Sequence, residues 1–250
     1  MKWYLDFGHG GKDSGAIGPT NLKESDIVLK IGMMVKEALE NAFEKVITTR
    51  ENDKYYSLDY RAKKANKENC DYFISIHLNA ATNPSAKGCE VWLYDENSKF
   101  KTLANNLCNN LSTKVNTPNR GVKYSKKLAV LKNTKMPSLL VEVDFISNSE
   151  VENNLRNNKY LKDISDTISS TLLGFVNKSI VDDGVFSNGC ICSGSKDTIV
   201  GDINCFADTS LKRVNFYRVC IGTFNNKDNA INLKNEAISK GFKDTYIIYN

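Results

Sequence analysis

Residues 71–80 read DYFISIHLNA, and residues 72–78 form an apolar run of strand length, a buried strand with His77 near its end. Residues 139–145, LLVEVDF, read as a second such strand with Glu142 set inside it. Residues 2–7 alternate, with Trp3, Leu5 and Phe7 on one face, and run into the loop Gly8-His9-Gly10-Gly11. Further strands are expected at residues 46–50 and 90–94. After Glu24-Ser25-Asp26, the residues Ile27, Ile31, Met34, Val35 and Leu39 recur at helical spacing. A helix is expected near residues 58–69. Phe100, Leu103, Leu107 and Leu111 mark another, and Leu161, Ile164, Ile168, Leu172 and Phe175 a closing one. Strands alternating with helices predict an α/β layer fold over residues 1–178.

The pattern changes after Lys178. Residues 179–184 read as a linker, and residues 181–213 have no sustained period. A strand–helix–strand follows at residues 217–224, 227–240 and 245–249. A unit of about 35 residues is too small to hold a core alone. It is therefore expected to pair with the segment before it, or with another copy of itself, in a small α+β domain over residues 185–250.

The chain has 250 residues, 41% hydrophobic and 25% charged, a balance that excludes disordered, collagen-like and coiled-coil classes. Lys and Arg number 34 against 29 Asp and Glu, a net charge of +5, and the whole surplus lies in residues 1–178. This mild excess suits an anionic polymer and falls short of a nucleic-acid footprint, so no nucleic-acid partner is expected. No apolar run reaches the ~20 residues of a membrane span, and no membrane partner is expected. The N-terminal apolar stretch is broken by Asp6 and the glycines, so no signal peptide is read and synthesis in a cytoplasm is expected. Seven cysteines, at 70, 89, 108, 190, 192, 205 and 220, read as free thiols. The last four lack the paired spacing of a structural zinc site.

There are two histidines, His9 and His77. No His-Glu-x-x-His and no Gly-x-Ser-x-Gly occurs, which removes the thermolysin-like helix and the nucleophile elbow. GHGGKDSG fails the phosphate-loop pattern, because Asp13 follows the lysine. Each histidine alone would more often be structural. Together they occupy two strand ends of one expected sheet, where ligands gather. Two imidazoles and one carboxylate make a catalytic zinc set with an open position, and Glu24 is the best-placed carboxylate. The alternative for Glu24 is a first-turn acid complementing the helix dipole. Zinc hydrolysis needs a second carboxylate to move a proton. Glu142 ranks first, because a charge inside an apolar strand is costly unless it is paired or faces a site. Asp144, two residues on and expected on the same face, is its competitor, and Glu90 is third.

With those residues in place, the chain resembles the zinc-dependent N-acetylmuramoyl-L-alanine amidases of the amidase-3 family. The resemblance runs through LDFGHGGKDSGA at 5–16, Glu24, ITTR at 47–50, SLDYRAKKAN at 57–66, DYFISIHLNA at 71–80, KGCEVWLY at 87–94 and MPSLLVEVDFISNSEVE at 136–152. It implies a zinc amidase/phosphorylase-like α/β fold with a mixed, mostly parallel sheet flanked by helices, Zn2+ held by His9, Glu24 and His77, and Glu142 as catalytic acid/base. Asp144 departs from the glycine that many relatives carry. Residues 217–250 resemble the second half of a sporulation-related (SPOR-type) repeat, which implies binding to peptidoglycan glycan strands. Docking or homo-oligomerisation through this domain is the alternative.

The resemblance implies a peptidoglycan hydrolase cutting the amide between N-acetylmuramic acid and the L-alanine of the stem peptide. It would reach the cell wall after the membrane is breached. A phage endolysin is the first expectation, and a mother-cell-lysis amidase of a spore former the alternative. The rival classes are a zinc peptidase cutting within the stem peptide and a wall-binding module with a decayed site.

Overall fold

The computed structural model describes residues 1–182, together with residues 231, 232, 234 and 235. The chain divides into two units, Met1–Ser187 and Asn188–Asn250, and the elements below are those of the first. Residues 231, 232, 234 and 235 are helical, inside the helix expected at 227–240. The two flanking strands and the last four cysteines lie outside the described residues.

The elements are β1 (Lys2–Phe7), α1 (Glu24–Asn41), β2 (Lys45–Thr48), α2 (Leu58–Lys67), β3 (Tyr72–Asn79), β4 (Cys89–Leu93), α3 (Lys101–Val115), β5 (Asn119–Tyr124), α4 (Ala129–Asn133), β6 (Ser138–Phe145), α5 (Ser149–Asn154) and α6 (Asn158–Asp182). The strands form one sheet in the order β2-β1-β3-β6-β4-β5. Every neighbouring pair is parallel except β4 against β6. This is the α/β alternation that the hydrophobic pattern predicts, with the mixed, mostly parallel sheet that the resemblance implies. The backbone of α6 is helical to Asp182, so the first residues of the 179–184 stretch continue that helix.

One face of the sheet is fully covered. Leu5 and Phe7 of β1, Ile74 and Ile76 of β3, Val91 of β4 and Leu139, Val141 and Val143 of β6 pack against α1, α3 and α6. The helices contribute Ile31, Val35, Leu107, Leu111, Ile164 and Ile168, all without exposed surface. Burying each such side chain stabilises by roughly 1.5–3 kcal/mol. The opposite face has a smaller cluster in which Tyr4, Phe73 and Leu140 meet Ala65 of α2 and Val130 and Leu131 of α4. Cover on that face comes from two short helices, and the carboxyl ends of β3 and β6 carry polar side chains beyond them.

A β-bulge changes one expectation. In the β3–β6 ladder His77 faces Glu142, but Asn79 faces Phe145, so three residues of β6 span two of β3. The extra residue interrupts the alternation, and Asp144 does not follow Glu142. Its buried carboxylate accepts from the backbone of Gly88 at 2.8 Å and of Phe145 at 2.8 Å, and from Thr117 Oγ1, just past α3, at 2.5 Å. Asp144 is therefore committed to fastening β6 to the start of β4 and the end of α3.

Candidate metal centre

The site begins where β1 ends. Gly8 extends the ladder by donating to the Ile76 carbonyl at 3.2 Å. The chain then turns through His9 at φ 60°, a left-handed conformation that costs a non-glycine residue roughly 1–2 kcal/mol. Two buried guanidinium groups hold it there. Arg50 donates to the carbonyls of Phe7, Gly8 and Ser25, the last two at 2.8 and 2.7 Å. Arg61, from α2, donates to the carbonyls of Phe7 and His9, both at 2.8 Å. Arg61 is anchored by the fully buried Asp6 at 2.7 Å, which also accepts from Thr49 Oγ1 and Ser75 Oγ. Burial alone would raise the Asp6 pKa, but the Arg61 charge and the Thr49 hydrogen bond outweigh it and hold the carboxyl below its ordinary value. Successive carbonyls of the β1–loop junction are thus fixed by charge-assisted bonds from residues far along the chain.

Glu24 opens α1 and turns inward. Its Oε2 accepts from Ala16 N at 2.9 Å and its Oε1 from Leu78 N at 3.0 Å. The same Oε1 lies 3.1 Å from His9 Nε2 and 2.9 Å from His77 Nδ1. At 3% exposure Glu24 is no solvent-facing complement to the helix dipole. Burial opposes its charge, but the bonds to His77 and His9 prevail and keep it ionised well below the usual carboxylate range. The fit is close at Gly15, φ 65°, where a Cβ would fall 2.6 Å from both Glu24 Oε2 and the His9 ring.

The imidazole rings of His9 and His77 stand edge to face, 5.0 Å apart. One donor atom from each of His9, Glu24 and His77 lies within 4.8 Å of the others, a group that could hold a metal ion. His9 Nδ1 lies 3.0 Å from Asp13 Oδ2, so its other nitrogen is left toward the centre. Two imidazoles and one ionised carboxylate suit a divalent cation of borderline softness. For both histidines burial disfavours the imidazolium, yet the Glu24 carboxylate outweighs it and raises their pKa.

Glu142 faces His77 across the ladder. Its Oε2 is buried and has no hydrogen-bond partner among the described residues. Burial pushes its pKa up to about 7, with His77 opposing and Glu24 and Glu90 adding to the rise. A carboxyl of that kind exchanges a proton near neutrality. Glu90, its partner across β4, is different. It accepts from Asn79 Nδ2 at 2.9 Å, Trp92 Nε1 at 3.0 Å, Arg120 Nε at 2.9 Å and Lys123 Nζ. Burial would raise its pKa, but Lys123 and Arg120 hold it below the ordinary value. Of the three acids ranked from sequence, only Glu142 has no hydrogen-bond partner for a buried oxygen among the described residues.

Residues 4–173 match the family model described as N-acetylmuramoyl-L-alanine amidase. The chain belongs to the amidase-3 family. Over 171 residues it is 39% identical to the endolysin of Bacillus phage SPP1, covering 65% of this chain and 61% of that one. It is 28% identical over 251 residues to the sporulation-specific N-acetylmuramoyl-L-alanine amidase of Bacillus subtilis, covering 99% of this chain and 85% of that one. Among solved structures, the N-acetylmuramoyl-L-alanine amidase AmiC2 of Nostoc punctiforme aligns with a TM-score of 0.67 at 33% identity, over 71% of this chain and 97% of that chain. The chain thus spans about three fifths of the phage endolysin's length.

In this amidase-family chain the supporting residues Asp13, Arg50, Arg61 and Glu152 had no role assigned from sequence. Glu152 of α5 accepts from the backbone of Thr20 at 2.9 Å and Leu22 at 3.0 Å, and so clamps the loop that delivers Glu24. For Arg61 a signal was present, because it shares its helix's inward face with Ala62 and Ala65. A charged residue at a core position of an amphipathic helix implies a buried partner.

Proposed function

We propose that residues 1–178 form the catalytic domain of a peptidoglycan hydrolase that cleaves the amide between N-acetylmuramic acid and the L-alanine of the stem peptide. In this reading His9, Glu24 and His77 hold Zn2+ and Glu142 is the catalytic acid/base. The observation that carries it is the uncommitted Glu142 Oε2 beside a converging His–Glu–His set, in a chain of the amidase family. Bound zinc would supply Lewis acidity to the scissile carbonyl and lower the pKa of water. Glu142 takes the proton of the attacking water and delivers it to the alanine nitrogen as the C–N bond breaks, leaving a lactyl carboxylic acid and a free amine. Asp13 fixes the His9 ring, and Arg50 and Arg61 hold the loop so that little reorganisation is needed.

The wider reading is an endolysin, acting on the wall once the membrane is open, with residues 185–250 as a SPOR-like glycan-binding domain. It is supported by the likeness to the phage SPP1 endolysin. No helix among the described residues is long and apolar enough to cross a membrane. A sporulation amidase is the second reading, favoured by an alignment that runs through 99% of the chain. Homo-oligomerisation through residues 185–250 belongs to the same proposal.

The test is a digest of purified peptidoglycan, with and without chelator, followed by mass spectrometry. Soluble peptides beginning with L-alanine, lost with chelator and restored by zinc, are the expected result. Fragments cut inside the peptide would indicate a zinc peptidase. Walls bound but uncut would leave a binding module.

A further inference from the structure

Beside Glu142 the sheet carries a feature that proton transfer does not use. The β4–β6 register sets Glu90 against Glu142, and the β4–β5 register sets Trp92 against Lys123. Paired residues of adjacent strands share a face, so Glu142, Glu90, Trp92 and Lys123 line one surface. Arg120 joins them across a second bulge, where Cys89 faces Asn119 and Val91 faces Val122. The Arg120 guanidinium is fixed by its Nε on Glu90 and lies 4.8 Å above the Phe145 ring. Lys123 bonds the same Glu90 oxygen and lies 5.5 Å above the Trp92 ring.

Two cations therefore meet the single charge of Glu90, with Glu142 the next carboxylate on the same surface. Glu90 is 2% exposed, whereas the Arg120 and Lys123 side chains are 38% and 33% exposed. Among the described residues, none bonds the two terminal nitrogens of Arg120, whose Nε alone is engaged. Among the described residues, neither cation has an ion pair with any carboxylate other than Glu90. A guanidinium held at Nε and stacked on a ring presents its remaining N–H groups in a fixed fork, the geometry that receives a carboxylate.

We propose that Arg120 and Lys123 form a subsite for a carboxylate on the peptide half of the substrate, next to the acid/base. The proposal rests on the amidase reading. The nearest such group beyond the scissile bond is the α-carboxyl of the acidic residue after L-alanine, which walls carry either free or amidated. The subsite makes this chain selective for the free acid.

The experiment uses the full zinc-loaded chain and two soluble muropeptides that differ only in that carboxyl, free in one and amidated in the other. Product masses and kcat/KM are measured for both. The parent is expected to prefer the free acid about tenfold, mainly through KM. In Arg120→Gln the ratio falls toward one, and Arg120→Lys recovers part of it. A merely structural Arg120 would slow both substrates in proportion, and an unchanged ratio overturns the proposal. So does a parent that cuts both substrates equally, a result that needs no variant to fold. Soluble muropeptides carry no phosphate polymer, so the ratio reports the peptide carboxylate alone. If neither substrate releases a peptide beginning with L-alanine, the amidase reading itself fails, and the subsite with it.

Discussion

His77 and Glu142 are register partners in the β3–β6 ladder, and they face opposite requirements. His77 is bonded to an ionised carboxylate, Glu24, at 2.9 Å, whereas the Glu142 Oε2 is buried and bonds to none of the described residues. Two neighbouring strands thus present one group already committed to a ligand cluster and another held in reserve. In the proposed mechanism this is a division of labour at the carboxyl ends of two central strands, with the metal ligand on β3 and the proton carrier on β6.

Glu142→Gln is expected to lower turnover by about 10²–10⁴-fold, the usual contribution of a general acid/base. Zinc content and wall pelleting are unchanged. Because the folded carboxyl titrates near 7 against an ordinary 4.5, the folded state holds the proton longer than the unfolded chain. Its ionisation therefore costs stability as pH rises from 4.5 to about 7, and the metal-free glutamine variant should melt higher than the parent at pH 8. Calorimetry of both chelated proteins at pH 5 and pH 8 checks this.

Metal uptake should release protons. The His9 and His77 pKa values are raised above 6.5 in the metal-free protein, so a cation must displace protons there. Affinity is expected to rise with pH through the raised values and to level off beyond them. Titration calorimetry in two buffers of different ionisation enthalpy should give different apparent heats, and equal heats would contradict it. The sign for stability is opposite. What the imidazolium–Glu24 contacts add to the chelated protein is complete below pH 6.5 and is lost as pH rises through the raised values.

Removing Arg61 should be more damaging than any surface change. Arg61→Met leaves Asp6 buried without its ion pair and frees the His9 carbonyl, at a cost of about 3–5 kcal/mol. The depressed Asp6 pKa means that its stabilisation is present above 3.8 and is lost as pH falls through the folded value. Acid-unfolding curves of the parent and Asp6→Asn should therefore differ most above pH 4 and converge in stronger acid.

Asp144→Ala separates structure from chemistry. It strips acceptors from Gly88 N, Phe145 N and Thr117 Oγ1, and should cost about 1–3 kcal/mol in urea unfolding. Well below the variant's melting temperature, kcat should stay within about twofold of the parent, since the bulge takes Asp144 away from Glu142. A hundredfold loss would restore Asp144 as a competitor for the acid/base role.

Hydrophobic periodicity made the sheet, its main helices and the layer order legible, because β1, β3 and β6 are apolar on buried faces. The same signal is silent for β5, NRGVKY, an edge strand with no fully buried residue. It is also silent for α4, whose five residues are too few to show a helical period. The meeting of His9, Glu24 and His77 was readable from their places at strand and helix ends. The position of Asp144 was not, since a one-residue bulge reverses a face without leaving a mark on composition. Nor was the saturation of Glu90, whose partners come from β3, β4 and β5 and meet only when the sheet assembles.

The strand order also has a temporal side. β6 lies between β3 and β4, although β4 leaves the ribosome before it. A nascent chain of about a hundred residues would already contain His9, Glu24 and His77, yet it lacks both Glu142 and the strand that joins the halves of the sheet. On the proposed mechanism, interrupted translation would yield fragments without the acid/base, and activity would await the strand that carries Glu142. If the proposed activity holds, unfinished copies would be harmless by topology alone.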